Sequence, residues 1–181
     1  MARYIALLRA INAGKGCTTK MRPLRQLFES LGFLHVATFA ASGNVVFETR
    51  AKSVKSLQRK IEKQLRDALG FRVAVLIRTD AELSKIADYK PFSESKIDAA
   101  GEFNIIFLPD TLSQKLIRAV KTLRTATDEL RVHGREIFWL RRRKKGGLSF
   151  STVPLEKTLV LPFTIRSAKT VKKMAMNYPP P

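Results

Sequence analysis

Tyr4-Ile-Ala-Leu-Leu8 is a nearly unbroken apolar run of strand length, and a loop with two glycines, Gly14 and Gly16, follows it. A run without polar alternation needs cover on at least one face, as a central strand does. The strand spans about Arg3 to Arg9. A helix is expected to begin near Thr19, with Met21, Leu24, Leu27, Phe28 and Leu31 at helical spacing. Pro23 is tolerated in its first turn, where amides lack intrahelical partners, and Gly32 is a natural stop.

The next segments continue the alternation. Leu34–Ala40 and Asn44–Glu48 read as a hairpin across Ser42-Gly43. Ser53 can cap a second helix with Val54, Leu57, Ile61, Leu65 and Leu69 on its inner stripe and Lys55, Arg59, Lys63 and Arg66 on its outer face. Gly70 ends it. From Phe71 to Arg78 apolar and other residues alternate with period two, as in a strand. Thr79-Asp-Ala-Glu82 is a capping box opening a short third helix. Residues 3–78 thus read β-α-β-β-α-β, the split β-α-β, ferredoxin-like order.

Residues 88–101, with Pro91 and no periodicity, read as a linker. The same order then restarts. Phe103–Leu108 reads as a strand, and Asp110 or Thr111 can cap a helix carrying Leu112, Leu116, Ile117, Val120 and Leu123. Glu129–Val132 and Glu136–Leu140 form a hairpin across His133-Gly134. Val153–Val160 reads as a short helix, Ser167–Met176 as the last helix, and Tyr178–Pro181 as a frayed tail. The expected fold class is α+β with two ferredoxin-like halves: residues 1–87, then the linker, then a degenerate second copy with C-terminal helices over 102–181.

In this topology the end of strand one lies beside the start of strand three. Arg9, Asn12 and the Gly14–Gly16 loop therefore fall next to Ser42 and Asn44, near a helix N-terminus, with Lys15 and Lys20 adding charge. That rim of the first sheet could hold a small phosphate or carboxylate, with Arg166 added from the second half. The loop is not a P-loop, because Gly16 follows Gly14-Lys15 where that motif needs Lys and then Ser or Thr.

Charge supports a different reading. The chain has 34 Lys+Arg against 15 Asp+Glu, a formal net charge of +19. Residues 1–110 hold 18 basic and 11 acidic side chains, which leaves 16 and 4 for residues 111–181. Such a field attracts polyanions. The run Arg141-Arg142-Arg143-Lys144-Lys145 beside Trp139 is the best local nucleic-acid signature, and Tyr4, Phe47 and Trp139 are the aromatics considered for base stacking. Core packing is the alternative role for Phe47 and Trp139. A non-enzymatic module binding nucleic acid or another polyanion is the first reading. A small-anion binding protein or enzyme is the second.

No catalytic residues, metal ligands or cofactor motifs emerge. His35 and His133 are the only histidines and neither has a neighbour at ligand spacing. Cys17 is the only cysteine, which excludes an internal disulfide. No apolar stretch approaches the roughly 18 residues of a membrane span, so a cytoplasmic protein with no membrane partner is expected. Nothing in the pattern fixes an oligomeric state.

Tyr4-Ile-Ala-Leu-Leu-Arg-Ala-Ile-Asn12, Ser42-Gly-Asn-Val-Val-Phe47 and Phe71–Thr79, with their spacings, resemble the bacterial domain-of-unknown-function 1697 family. The resemblance covers most of the chain and implies two ferredoxin-like halves without a settled biochemical role. Ala10 stands where that family usually has Gly. Its C-terminal motif Thr-x-Arg-Asn-Trp-Asn-Thr-Val corresponds here to Thr164-Ile-Arg-Ser-Ala-Lys-Thr-Val171. Arg166, Thr170 and Val171 match it, whereas Ser167, Ala168 and Lys169 replace Asn, Trp and Asn. Any family activity carried by those three side chains would be lost or altered.

Overall fold

The computed structural model describes residues 1–9, 11, 21–40, 43–142 and 152–181. Two compact units divide the chain: residues 1–87 with 172–181, and residues 88–171. Each contains one four-stranded antiparallel sheet. No helix among the described residues is long and apolar enough to cross a membrane.

The first unit runs β1 (Ala2–Leu8), α1 (Met21–Ser30), β2 (Leu34–Phe39), β3 (Asn44–Thr49), α2 (Val54–Leu69), β4 (Val75–Thr79) and α3 (Asp80–Asp88). Its sheet order, β2-β3-β1-β4, is that of a split β-α-β unit. Leu7 lies opposite Asn44 on one side and Leu76 on the other, so β1 is central. One face of the sheet, with Tyr4, Ala6, Leu8, Val45, Phe47, Val75 and Ile77, packs on Leu24 and Phe28 of α1 and on Leu57, Ile61 and Leu65 of α2. Phe47 is the hub of an aromatic cluster, with ring centroids 4.4 Å from Phe33, 5.6 Å from Phe28 and 5.8 Å from Tyr4.

Local signals placed most of these elements. Ser53 caps α2 by accepting from the Ser56 amide at 3.3 Å, and Gly70 ends it in the left-handed region with φ 79°. The capping box forms as expected: the Thr79 amide donates to Glu82 Oε2 at 2.9 Å and the Glu82 amide to Thr79 Oγ1 at 3.1 Å. The strand expected from Phe71 is shorter and begins at Val75. Among the described residues its one sheet partner is β1, which ends at Leu8 opposite Val75. Beyond that pair a single further bond, Arg9 N–H to Ala74 O at 2.9 Å, extends the ladder.

Arg78 of β4 is only 1% exposed. Ile5, Leu7, Val46 and Leu76, also off the helix-packed face, are equally buried. Alternation in this sheet therefore separates two buried faces rather than an inner from an outer one.

The second unit runs α4 (Glu94–Asp98), β5 (Glu102–Phe107), α5 (Gln114–Thr122), β6 (Asp128–His133), β7 (Glu136–Arg141), α6 (Val153–Leu159), β8 (Thr164–Ser167) and the start of α7 (Ala168–Asn177). Its order, β6-β7-β5-β8, repeats that of the first sheet. The segment read as a linker holds α4, with Pro91 and Phe92 buried ahead of it. Ser113, not Asp110 or Thr111, caps α5: its Oγ accepts from the Leu116 amide at 3.3 Å. The fourth strand, β8, was not expected, because four residues between a proline-containing turn and a helix carry too little periodicity to register. The terminal segment does not simply fray. Arg3 Nη1 donates to Pro179 O at 3.0 Å and Tyr178 meets Phe39 edge-on at 6.4 Å, both within the first unit.

Two substitutions test this packing. Phe47→Ala should lower unfolding free energy by about 3–5 kcal/mol in denaturant titrations. Gly43→Ala should also destabilise, because Gly43 has φ 72° and an added Cβ would sit 2.6 Å from Ile11 Cγ2. A Gly43→Ala protein with an unchanged midpoint would contradict the geometry of this hairpin.

Candidate anion-binding groove

The sequence-selected residues are unevenly placed. Asn12, Lys15, Lys20 and Ser42 lie outside the described residues, as do Arg143, Lys144 and Lys145. The register brings Arg9 and Asn44 to the same end of the first sheet, since Leu7 faces Asn44 and the Leu8 amide donates to Gly43 O at 2.9 Å. Asn44 is fully buried, and its Nδ2 donates to Phe39 O at 2.8 Å, closing the β2–β3 hairpin. Arg9 is half-buried at the end of β1.

Arg166 lies on β8 opposite Ile105 and is 6% exposed. It donates from Nη1 to Thr164 Oγ1 at 2.7 Å and to Ile165 O at 2.8 Å. Burial lowers its guanidinium pKa to about 10, so the charge persists at neutral pH. Arg78 holds the matching position in the first sheet, opposite Ile5, and likewise donates to the preceding carbonyl, Ile77 O, at 2.9 Å. The signal for this pair was in the sequence as Ile77-Arg-Thr79 and Ile165-Arg-Ser167, each leading straight into a helix.

The aromatics weighed for base stacking are core residues. Tyr4 is 4% exposed, with its hydroxyl donating to Ala51 O at 3.1 Å, and Phe47 is fully buried. Trp139 is 7% exposed and its indole N–H donates to Asp128 Oδ1 at 2.9 Å. Asp128 also accepts from Thr125 Oγ1 and Thr127 Oγ1, both at 2.9 Å, and lies 3.6 Å from Arg141 Nε. Arg141, the last residue of β7, is thereby tied to β6, whereas Arg142 is exposed. Burial opposes ionisation of Asp128, but the Trp139, Thr125 and Thr127 bonds and the Arg141 charge outweigh it, so its carboxyl lies below the ordinary value.

A cationic concavity lies elsewhere in the first unit. A groove of 470 Å³ runs between α2 and the segment entering β4, lined by Arg59, Glu62, Lys63, Arg66, Arg72, Val73 and Ala74. Arg59, Lys63 and Arg66 follow one another at spacings of four and three, the outer-face periodicity of α2. Lys63 and Arg66 share one carboxylate, Asp67, at 3.1 and 3.6 Å. Among the described residues Arg59 and Arg72 have no carboxylate partner. The Arg9–Ala74 backbone bond places the end of β1 directly beside this lining. The sequence reading identified the α2 cations but missed Glu62 and Arg72, whose membership depends on how β4 is entered.

No cluster of three His, Cys, Asp or Glu suited to a metal ion occurs among the described residues. Overall, the groove offers fixed positive charge at small-ligand dimensions, without a paired acid and base.

The family model described as a protein of unknown function, DUF1697, matches residues 1–138. A solved structure of a conserved bacterial protein from Streptococcus pneumoniae is similar over 98% of this chain and 98% of its own, with 25% identity and a TM-score of 0.74. Among curated proteins none matches the sequence.

The Asp128 network gives a pH prediction. A carboxylate with a depressed folded pKa contributes stability that is full above its unfolded value and is lost as pH falls through the folded one. The urea-midpoint gap between the native protein and Asp128→Asn should therefore be constant near neutrality and close at pH values below the ordinary carboxylate range. A gap unchanged down to pH 3 would argue against the network.

Proposed function

Because the chain belongs to the DUF1697 family, whose description carries no activity, we propose from the geometry that it is a non-enzymatic binding protein for nucleic acid or a similar polyanion. The α2–β4 groove is the contact surface assigned to it. The observation that carries this reading is the groove lining: four cations, of which Arg59 and Arg72 have no carboxylate partner. Uncompensated arginines grouped along one helix face and the adjoining strand entry suit successive phosphates, which accept the guanidinium fork. The net charge of +19 adds long-range attraction that speeds encounter. Exposed Arg142 could extend the basic surface of the second unit. A cytoplasmic setting, where RNA is plentiful, fits the same reading.

A second reading is a small phosphate or carboxylate ligand at this edge of the first sheet. The groove volume of 470 Å³ lies within the range of small-ligand pockets, and Arg9 adjoins it through Ala74. Salt dependence separates the two. Polyanion binding should weaken steeply between low and moderate salt, with a log–log slope of about 0.7–0.9 per phosphate neutralised. The combined Arg59→Ala, Arg66→Ala and Arg72→Ala protein should bind single strands more weakly, with a slope smaller by about 2. Saturable binding of inorganic phosphate or a carboxylate metabolite with a shallow slope would favour the second reading. No binding of either kind at low salt would remove both.

A further inference from the structure

Among the described residues Glu62 is the one acid lining the groove. If its role were to neutralise the surrounding cations it would be paired with one of them, yet it makes no ion pair with Arg59, Lys63, Arg66 or Arg72. Instead one oxygen is fixed: Oε1 accepts from the Val75 amide at 3.0 Å and from Gln58 Nε2 at 3.1 Å. These bonds anchor the carboxylate to the first residue of β4 and to its own helix. Oε2 has no hydrogen bond among the described residues. A rigid acceptor amid cations repels a bare phosphate and suits a ligand that places a neutral donor beside its anionic groups.

We propose that the groove recognises ribose phosphates: Glu62 Oε2 accepts a sugar hydroxyl, the 2′-hydroxyl in a chain, while the flanking Arg and Lys side chains hold the neighbouring phosphate. Glu62 is then the residue that distinguishes RNA or a ribonucleotide from the deoxy form. An acid reading a ribose hydroxyl next to a phosphate-holding surface is sound chemistry, because the hydroxyl donates and the deoxy sugar cannot. The inference rests on the polyanion reading above and adds the class of sugar.

The test uses fluorescence anisotropy at low salt with a labelled oligouridylate of about 12 nucleotides, its deoxy counterpart and its 2′-O-methyl counterpart. The native protein should bind the ribo form about tenfold more tightly than the deoxy form, as a hydrogen bond to a charged acceptor implies. The 2′-O-methyl strand should fall to the deoxy level. It keeps the RNA shape but not the donor, so this arm needs no altered protein. Glu62→Gln should abolish the ribo-over-deoxy preference, with its urea midpoint as the folding control. UTP and dUTP as competitors then separate a free nucleotide from a chain: either source supports the proposal if the ribo form competes better. Equal binding of ribo, deoxy and methylated strands overturns the inference and leaves polyanion binding standing. Absence of binding to any strand overturns both.

Discussion

The end of β1 sets the geometry of the first unit's charged surface. Among the described residues β4 is an edge strand with β1 as its one neighbour, and their ladder closes at Leu8 opposite Val75, with the Arg9–Ala74 bond as its final rung. Upstream of that rung the chain leaves the sheet and runs along α2, which brings Arg72, Val73 and Ala74 to the groove. An edge strand leaves backbone donors unsatisfied, and an exposed donor is a hazard as well as a cost. Here the Val75 amide is met by Glu62 from α2. One side chain thus completes the sheet edge and contributes the acidic element of a cationic surface.

The elements legible from sequence were those with local causes. Ser53, Gly70 and the Thr79–Glu82 box act within a turn of chain, and each behaves as its residue types dictate. The errors have tertiary causes. β4 starts late because its partner ends. β8 is too short to show periodicity and is a strand because β5 offers it an edge. The candidate site follows the same division. The cations of α2 were visible from helical spacing, whereas Glu62 and Arg72 join them only through the packing of helix against strand entry. The Arg141–Lys145 run was read by composition, which cannot show that Arg141 is drawn to Asp128.

The two sheets use one device at matching positions. In each, the fourth strand carries a buried arginine that donates to the carbonyl just before it, and the next residue turns the chain into a helix by capping it. Thr79 accepts from the Glu82 amide and Ser167 from the Thr170 amide, both at 3.1 Å. This is the pattern a duplication would leave where backbone demands are strict and side-chain identity elsewhere is free to drift. The copies differ between their third and fourth strands, where the first has the 16-residue α2 and the second the seven-residue α6. The cationic groove depends on that longer helix, so divergence after copying would explain why its lining belongs to one half.

Residues 172–181 join the first unit, tied there by the carbonyl of Pro179 and the ring of Tyr178. In connectivity, residues 88–171 are therefore an insert whose two ends both lead back to the same body. During synthesis residues 1–87 emerge first, yet some of their contacts come from residues 172–181, which follow the inserted body. The inserted body can complete itself while its host is still waiting, which reverses the usual order of maturation along a nascent chain.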